Sequence, residues 1–268
     1  MKRILIIGAS SGIGAAVARA CAGQGWAVIL HGRDEERLEE VRKRCLNDKD
    51  GGMSSVASEC SRDGARSSGD ADAGIELLLG DVVAWAEDPK SIPEIEPVQA
   101  IVWSAGICEL AAGQMLGLKA IRRTLSVNLE APLVVLSHFY RKGIIQSGGS
   151  IVLLGSESAH DAGEGFSVYA ASKGGLASAA RVLGKEFQRR NVSVHCLEPG
   201  TVNTPMTEKL VQAFGGLKDG HMEKMVEPEE VAAEVVGILS SRFRLRCATS
   251  DTVAKASQDK HGDTKPQS

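Results

Sequence analysis

The sequence predicts one α/β domain built on a doubly wound parallel sheet of six or seven strands. Short apolar runs alternate with longer segments of helical pattern, which is the order of βαβ units. The apolar runs are nearly continuous rather than alternating, as expected of strands buried on both faces of a parallel sheet. With 268 residues, of which 43% are hydrophobic, the chain is long enough for one such domain and too short for two.

The predicted elements follow one another as strand, helix, strand along most of the chain. Strands are predicted at Ile4–Ile7, Ala27–Leu30, Ile75–Leu79, Ala100–Trp103, Ser150–Leu154 and Ser193–Leu197. Helices are predicted at Ala15–Gln24, Glu35–Leu46, Leu118–Tyr140, Tyr169–Arg189 and Pro228–Ser240. Strands that alternate with amphipathic or small-residue helices are typical of a doubly wound sheet.

Two regions depart from this pattern. Residues 47–74 are rich in Gly, Ser and Asp and contain almost no large apolar side chains, so they cannot bury enough surface to offset the cost of ordering the chain. A flexible surface insertion is predicted there. Residues 247–268 are polar and without periodicity, which predicts a disordered tail. The folded domain is therefore expected to span residues 1–246.

Charge and cysteine content narrow the choice of partner and compartment. The net charge of −3, from 31 basic and 34 acidic residues, gives no electrostatic reason to expect nucleic acid or an anionic membrane. The longest apolar runs are well short of the ~20 residues that cross a bilayer. The first strand begins almost at Met1, so no signal peptide is expected. Six cysteines without C-x-x-C spacing indicate reduced thiols in the cytoplasm and no metal site. The expected partner is a small molecule.

A glycine-rich loop joins the first strand to the first helix. Glycines permit a tight turn and a close approach of the backbone to a pyrophosphate, and the N-terminus of the following helix offers free N–H donors. The loop therefore predicts a Rossmann-like dinucleotide site. Its predicted cofactor-binding residues are Gly8, Ser10, Ser11, Gly12, Ile13 and Gly14.

The end of the second strand bears on the choice of dinucleotide. An acidic residue there would bind the ribose hydroxyls of NAD, whereas an arginine would pair with the 2′-phosphate of NADP. The chain has Gly32 where the acid would stand, followed directly by Arg33. NADP is therefore predicted as the cofactor in preference to NAD. The alternative is that Arg33 is only a solvated residue before the acidic start of the second helix.

Tyr169 and Lys173 lie four residues apart at the start of a predicted helix, and hence on one face of it. A free phenol with a pKa near ~10 is a poor acid or base at neutral pH, and a nearby cation favours its ionised form. We expect Lys173 to lower the pKa of Tyr169. The phenol would then serve as general acid in reduction or general base in oxidation.

The Gly-x-x-x-Gly-x-Gly loop and the Tyr-x-x-x-Lys pair together resemble the short-chain dehydrogenase/reductase family. The resemblance implies that Ser156, thirteen residues before Tyr169, holds the substrate carbonyl, with Ser158 as the competing residue. It also implies that Asn128 binds a water linking Lys173 to solvent, although an asparagine within a helix can be only an interface residue. The implied catalytic set is Asn128, Ser156, Tyr169 and Lys173, and the last two also contact the cofactor.

The same resemblance assigns the rest of the cofactor site. Asp81, at the end of the third strand, is implied to contact the adenine amine, or else it only caps a loop. Small residues after the fourth strand would let the backbone approach the cofactor ribose. The segment after the sixth strand would hold the carboxamide and phosphates through the backbone of Val202 and the hydroxyl of Thr204. The residues so implied are Asp81, Val82, Ser104, Ala105, Gly106, Pro199, Gly200, Val202 and Thr204.

The chain also departs from the family pattern. Ile7 stands where a threonine is usual, and Trp103 and Ser104 replace two asparagines, so the structural hydrogen bonds of the first asparagine are lost. Relatives usually form a seventh strand after the last predicted helix, whereas this chain continues with an Arg-rich stretch and the polar tail. The sheet can therefore end at six strands. The mainly apolar segment Met206–Val226 is expected to form a mobile lid over the substrate.

These motifs together predict an enzyme that transfers a hydride between NADP(H) and a carbonyl or alcohol substrate. The alternative is a non-catalytic NADP-binding regulator or scaffold of the same fold, but such a protein would have no need of Tyr169. The resemblance also implies a homodimer. Its subunits would pair through the helices around Asn128 and after Tyr169, where alanines and glycines permit close helix approach.

Overall fold

The computed structural model of the chain describes residues 2–52, 74–214 and 225–240. The strands within these ranges are β1 (Arg3–Ile7), β2 (Ala27–Gly32), β3 (Ile75–Leu79), β4 (Val98–Trp103), β5 (Ile145–Leu154) and β6 (Ser193–Leu197). The α-helices are α1 (Gly12–Gly23), α2 (Glu35–Gly52), α3 (Val82–Glu87), α4 (Leu118–Leu125), α5 (Ala131–Lys142), α6 (Ser167–Phe187), α7 (Pro205–Phe214) and α8 (Pro228–Ser240).

The six strands of the described ranges form one parallel sheet in the order β3-β2-β1-β4-β5-β6. Ile7 at the end of β1 pairs with His31 of β2 and with Trp103 of β4, so these three strands end at one level. The strand order reverses between β1 and β4, and ligands of such sheets bind beyond the carboxyl ends of the strands at this switch point. The predicted α/β class and doubly wound parallel sheet are confirmed.

Helices cover both faces of the sheet because successive side chains of a strand point to opposite faces. In β1, Ile4 and Ile6 pack with side chains of α1, α2 and α8 on one face. Leu5 and Ile7 pack with side chains of α3, α5 and α6 on the other face. All four are fully buried, which is why the strand reads as a continuous apolar run.

The helix predicted at Leu118–Tyr140 is interrupted. α4 ends at Leu125, and one wider π-helical turn at Ser126–Glu130 joins it to α5. Such turns occur inside α-helices mostly as single insertions, and often at functional sites. This turn contains Asn128, one of the predicted catalytic residues, and buries its side chain.

The predicted start of the flexible insertion is wrong. α2 continues to Gly52, so residues 47–52 belong to a helix. The large apolar side chains of this stretch end at Leu46, but a helix that is already formed can extend without burying a further apolar face. The remainder of the insertion, 53–73, lies outside the described residues, as does the predicted tail 247–268.

Two further helices are absent from the sequence prediction. α3 is short. α7 (Pro205–Phe214) occupies the first part of the segment that is expected to form a lid. Residues 215–224 of that segment lie outside the described ranges. Both helices follow directly on predicted cofactor-binding residues at the carboxyl edge of the sheet. No helix in the described part of the chain is both long and apolar enough to span a membrane.

Candidate active site

The glycine loop between β1 and α1 has no room for side chains at two of its glycines. A Cβ on Gly8 would lie 2.5 Å from the backbone nitrogen of Ala105, and a Cβ on Gly14 would overlap the carbonyl oxygen of Gly8. Gly8 and Gly12 also have φ angles of +88° and +52°, which residues with side chains rarely adopt. The loop therefore requires glycine at these positions.

The loop presents the start of α1 to the switch point of the sheet. Ser11 precedes the helix in an extended conformation, and its side chain makes no capping hydrogen bond within the described part of the chain. The N–H groups of the first turn are thus open to an anion, which the helix dipole also favours. Ile13 packs against the apolar core. The diphosphate of a dinucleotide fits this cradle, because backbone atoms and small side chains form it.

The backbone after β4 is fastened to the end of β1. The N–H groups of Ser104 and Ala105 both donate to the carbonyl oxygen of Ile7, at 2.8 and 2.9 Å. Trp103, which replaces the first asparagine of the family pattern, is 1% exposed and packs in the core. Main-chain hydrogen bonds therefore hold this stretch beside the glycine loop despite the substitution.

Gly106, Asn128 and Lys173 meet next to this stretch. A Cβ on Gly106 would lie 3.3 Å from Oδ1 of Asn128 and 3.5 Å from Nζ of Lys173. The Asn128 side chain accepts from the N–H of Ile107 (2.8 Å) and donates to its carbonyl oxygen (2.8 Å) and to Oγ of Ser172 (3.0 Å). Asn128 thus positions the loop after β4 against α6. The water relay implied by the family resemblance stays a prediction.

Lys173 is 5% exposed, and its Nζ donates to the carbonyl oxygen of Leu154 at 2.7 Å. Nζ lies 5.8 Å from the centroid of the Tyr169 ring. Burial lowers the pKa of Lys173 to about 8, while the neighbouring Cys196 and Cys108 oppose that shift. The lysine therefore carries its charge at neutral pH and loses it at only slightly higher pH.

The side chain of Tyr169 lies beside that of Ser156, close enough for the serine hydroxyl to act on the pKa of the phenol. Burial raises the pKa of Tyr169 to about 12, Cys108 adds to the rise, and the hydroxyl of Ser156 opposes it. The net shift of this pKa is therefore upward, opposite to the expected lowering, because desolvation of the buried phenol is its largest cause. At neutral pH Tyr169 is a protonated phenol.

Ser156 lies two residues after the end of β5 and is 9% exposed. Its Oγ accepts a hydrogen bond from the backbone N–H of Ser158 at 3.2 Å, and it lies beside the side chain of Tyr169. Of the two candidate serines, Ser156 therefore has its hydroxyl beside the tyrosine, while Ser158 supplies a backbone N–H group. This arrangement favours Ser156 over Ser158.

The residues predicted for the adenosine end lie where β2 and β3 end. Oδ1 of Asp81 accepts from the N–H of Val83 at 2.8 Å and so caps α3. Oδ2 of Asp81 lies 3.6 Å from a guanidinium nitrogen of Arg33. Asp81 thus caps α3 and also faces Arg33, and its contact with the adenine amine stays a prediction. Val82 begins α3 with its side chain in the core.

The segment after β6 carries the predicted cofactor residues Pro199, Gly200, Val202 and Thr204. The carbonyl oxygen of Pro199 accepts from the N–H of Glu157 at 3.0 Å, which ties the segment to the residue after Ser156. A Cβ on Gly12 would lie 3.1 Å from the methyl carbon of Thr204. The segment therefore reaches from the neighbourhood of Ser156 to the glycine loop, and Val202 between these contacts is buried.

Two residues that the sequence interpretation missed also lie in this region. Cys108 is close enough to Tyr169 to raise its pKa, and no motif in the sequence indicates this proximity. Arg37 lines a groove together with Ser11 of the glycine loop. A second arginine so soon after Arg33 was the available signal for this residue.

Comparison with known proteins identifies the family. A family model described as short chain dehydrogenase matches residues 2–63 and 79–214. The chain belongs to the short-chain dehydrogenase family. The matched ranges contain every predicted site residue, from the glycine loop to Thr204, so the geometry described above lies wholly within the part of the chain that the family shares.

Individual relatives of this short-chain dehydrogenase differ in how much of it they match. An uncharacterized oxidoreductase of Staphylococcus saprophyticus is 28% identical over 239 residues, which cover 88% of this chain and 89% of the relative. Carbonyl reductase family member 4 of Xenopus tropicalis is 37% identical over 152 residues, or 54% of this chain and 61% of the relative. A solved variant of actinorhodin polyketide ketoreductase with NADPH has a TM-score of 0.70 at 23% identity, covering 90% of both chains, and this is a likeness of fold.

Proposed function

We propose that the chain transfers a hydride between NADP(H) and a carbonyl or alcohol substrate. The observation that carries the proposal is the juxtaposition of Ser156, Tyr169 and Lys173 beside the glycine loop of a short-chain dehydrogenase fold. A protein that only bound a dinucleotide would need the loop. It would not need a phenol that lies beside a serine hydroxyl and next to a buried lysine.

In the proposed reaction the hydroxyl of Ser156 holds the carbonyl oxygen of the substrate, and the phenol of Tyr169 gives that oxygen its proton. A bound nicotinamide supplies the hydride. Because burial raises the pKa of Tyr169 to about 12, the phenol is protonated at neutral pH and can act as general acid. Reduction of the carbonyl is the direction we propose, because NADP(H) is the proposed cofactor.

Lys173 and Asn128 support the phenol. The ammonium of Lys173, held by the carbonyl oxygen of Leu154 at 2.7 Å, stabilises the negative charge that develops on the phenol oxygen as its proton leaves. Asn128 fixes the loop after β4 to α6 through its hydrogen bonds with Ile107 and Ser172. In the proposed mechanism Lys173 also binds the nicotinamide ribose, and Asn128 completes the proton relay through a water.

The proposed cofactor is NADP rather than NAD. Gly32 leaves no carboxylate for the ribose hydroxyls, and the side chain of Arg33 is 72% exposed, so its guanidinium can turn from Asp81 to a 2′-phosphate. Arg33→Ala should weaken NADPH binding by about 10- to 100-fold and leave NADH binding nearly unchanged. Fluorescence titration with each cofactor measures this. An equal loss for both would mean that Arg33 serves the loop rather than the phosphate.

A carbonyl compound is the proposed substrate. The relative named carbonyl reductase family member 4 shares 37% identity over 152 residues, which supports carbonyl reduction.

A turnover screen tests the proposed function. Purified protein with NADPH is offered ketones, aldehydes and acyl-thioesters, and the loss of NADPH absorbance is followed. We expect oxidation of NADPH with at least one of these classes and slower oxidation of NADH. Tight binding of NADPH without turnover on any class would favour the non-catalytic binding protein instead.

We also propose that the chain forms a homodimer through α5 and α6. Val134 on α5 and Val182 on α6 are exposed by 36% and 53%, and large apolar side chains on adjacent helices suit a face that a partner covers. Light scattering should give the mass of two chains. A monomer or a stable tetramer would contradict this assembly.

A further inference from the structure

The turn that carries Ser156 continues the backbone pairing of β5 with the chain after β6. The N–H of Gly155 donates to the carbonyl oxygen of Leu197 at 2.7 Å. Two residues later, the N–H of Glu157 donates to the carbonyl oxygen of Pro199 at 3.0 Å. Between these two bonds the ladder is incomplete, because proline has no N–H group to donate. This part of the turn therefore lacks one of the bonds that a regular parallel ladder provides.

A pair of side chains spans the same place. Glu198 reaches over Gly155, where a Cβ would lie only 2.8 Å from Cγ of the glutamate, so the glycine gives this side chain its room. Oε1 and Oε2 of Glu198 lie 3.3 and 3.4 Å from Nε2 of His160. The N–H of His160 donates to the carbonyl oxygen of Glu157 at 2.9 Å, so the imidazole belongs to the turn that carries Ser156. The pair thus joins the end of β6 to this turn across the incomplete part of the ladder.

The contact between Glu198 and His160 differs from an ordinary surface pair. The side chain of Glu198 is 27% exposed, and its Oε1 is fully buried and makes no hydrogen bond within the described part of the chain. A carboxylate oxygen can only accept hydrogen bonds, and burying one is costly unless a donor or a cation faces it. The imidazole at 3.3 Å offers an N–H group or, when protonated, a positive charge. The burial of this oxygen therefore favours a fixed contact between the two side chains.

We propose that Glu198 is a positioning residue, which acts through His160 to fix the turn that presents the hydroxyl of Ser156 to the substrate carbonyl. The inference rests on the proposed function, in which Ser156 holds that carbonyl. Glu198 itself touches neither the substrate nor the reacting atoms. A small displacement of a group that orients the substrate slows the chemical step. Removal of the Glu198 carboxylate should therefore lower kcat and leave NADPH affinity nearly unchanged.

Steady-state kinetics of the full chain test this role, with NADPH and the carbonyl compound that the turnover screen finds fastest. Glu198→Ala should lower kcat by about 3- to 10-fold and change NADPH affinity by less than about twofold. His160→Ala should give the same loss, and the double variant no more, because each single change breaks the same pair. Glu198→Gln keeps an oxygen that can accept the N–H of His160, so it should recover most of the loss. Asp161→Ala, which removes a carboxylate from the same turn, is the matched control and should change kcat by less than about twofold.

A double-mutant cycle with Ser156→Ala shows whether Glu198 acts through the serine. If it does, Glu198→Ala should change kcat by less than about twofold once residue 156 is alanine. An undiminished loss in that background overturns the inference. If Glu198→Ala fails to fold in urea unfolding experiments, His160→Ala takes its place in the cycle, because the side chain of His160 is 63% exposed.

The outcomes separate this inference from the proposed function. Wild-type kcat in Glu198→Ala refutes the role of Glu198 and leaves the proposed function standing. A loss of NADPH affinity in Glu198→Ala would place its role in the cofactor segment that follows it, and an equal loss of kcat in Asp161→Ala would mean a general effect of charge. Either result also overturns the positioning role. A wild-type chain that reduces no carbonyl compound, or a Ser156→Ala variant with wild-type kcat, refutes the proposed function and this inference with it.

Discussion

The two halves of the sheet shape the candidate active site by different means. On the nucleotide side, β1, β2 and α1 bring backbone against backbone, and a Cβ on Gly8 or Gly14 would overlap main-chain atoms. On the catalytic side, β4, β5 and α6 bring buried polar groups together. There Asn128 donates to Ser172, and Lys173 donates to a carbonyl oxygen of β5.

This difference decides which changes each side tolerates. A cradle of backbone N–H groups can hold the diphosphate of any dinucleotide, so it supplies binding without proton chemistry. Buried polar side chains have shifted pKa values, and those shifts determine which atom holds the proton. The nucleotide side should therefore be damaged by the addition of one methyl group, and the catalytic side by the removal of one polar atom.

The largest effect is expected on the catalytic side, from Tyr169→Phe. This change removes the phenol oxygen and keeps a ring that packs edge-on against Phe166. The kcat for carbonyl reduction should fall by at least about 10²-fold, the range of general acid catalysis. NADPH affinity should stay within about twofold, because the glycine loop is untouched. Steady-state kinetics and cofactor titration measure the two quantities.

Tyr140→Phe is the matched control for this variant. Tyr140 is the only other tyrosine of the chain, and its ring stacks on Phe187 with centroids 4.0 Å apart. Removal of the Tyr140 hydroxyl should leave kcat unchanged. Near-normal turnover in Tyr169→Phe would show that a group other than Tyr169 donates the proton. The catalytic side would then not depend on this buried polar atom, and the proposed difference between the two sides would fail.

A smaller effect, on stability, is expected on the nucleotide side from Gly14→Ala. The added methyl group overlaps the carbonyl oxygen of Gly8, and overpacking of this kind lowers the free energy of unfolding by about 1–3 kcal/mol. Gly23→Ala, at the other end of α1, is the control. No described atom lies within 4 Å of a Cβ there, so it should raise the free energy of unfolding by up to about 1 kcal/mol. If urea unfolding gave the same change in the free energy of unfolding for both variants, the glycine loop would have to rearrange to accommodate the added methyl group.

The order of the elements could be predicted because it depends on local pattern. The strands Ile75–Leu79 and Ser193–Leu197 have the bounds that the sequence indicates, although they are the edge strands of the sheet and are only partly buried. The π-helical turn at Ser126–Glu130 could not be predicted, because one extra residue per turn barely disturbs the spacing of apolar side chains. The continuation of α2 to Gly52 was missed because hydrogen bonds along the helix, rather than an apolar face, maintain it.

The site could be predicted as a set of residues but not as an electrostatic environment. A spacing of four residues places Tyr169 and Lys173 on one helix face, and the structure has them there. The sequence predicts a lowered pKa for Tyr169, whereas burial raises it to about 12. Burial depends on what packs around the phenol, including Cys108 from the loop after β4. Such contacts between distant parts of the chain are not encoded in local spacing.

The smallest effect expected is a pH dependence confined to the catalytic side. Burial lowers the pKa of Lys173 from 10.5 to about 8, so its ammonium is intact below that pH and is lost as the pH rises through it. The kcat for reduction should fall about tenfold between pH 7 and pH 9. Tyr169, with a pKa of about 12, stays protonated throughout and cannot cause the fall.

Measurements of urea unfolding distinguish this loss of activity from denaturation of the protein at high pH. Between pH 8 and 10.5 the unfolded chain binds the Lys173 proton that the folded chain has released, so the contribution of Lys173 to the free energy of unfolding rises with pH in this window. Activity should thus decline while this contribution to stability increases. Measurements of kcat and of urea unfolding at pH 7 and pH 9 test both signs. A kcat that stays level up to pH 10 would mean that proton transfer from Tyr169 does not require the charge on Lys173.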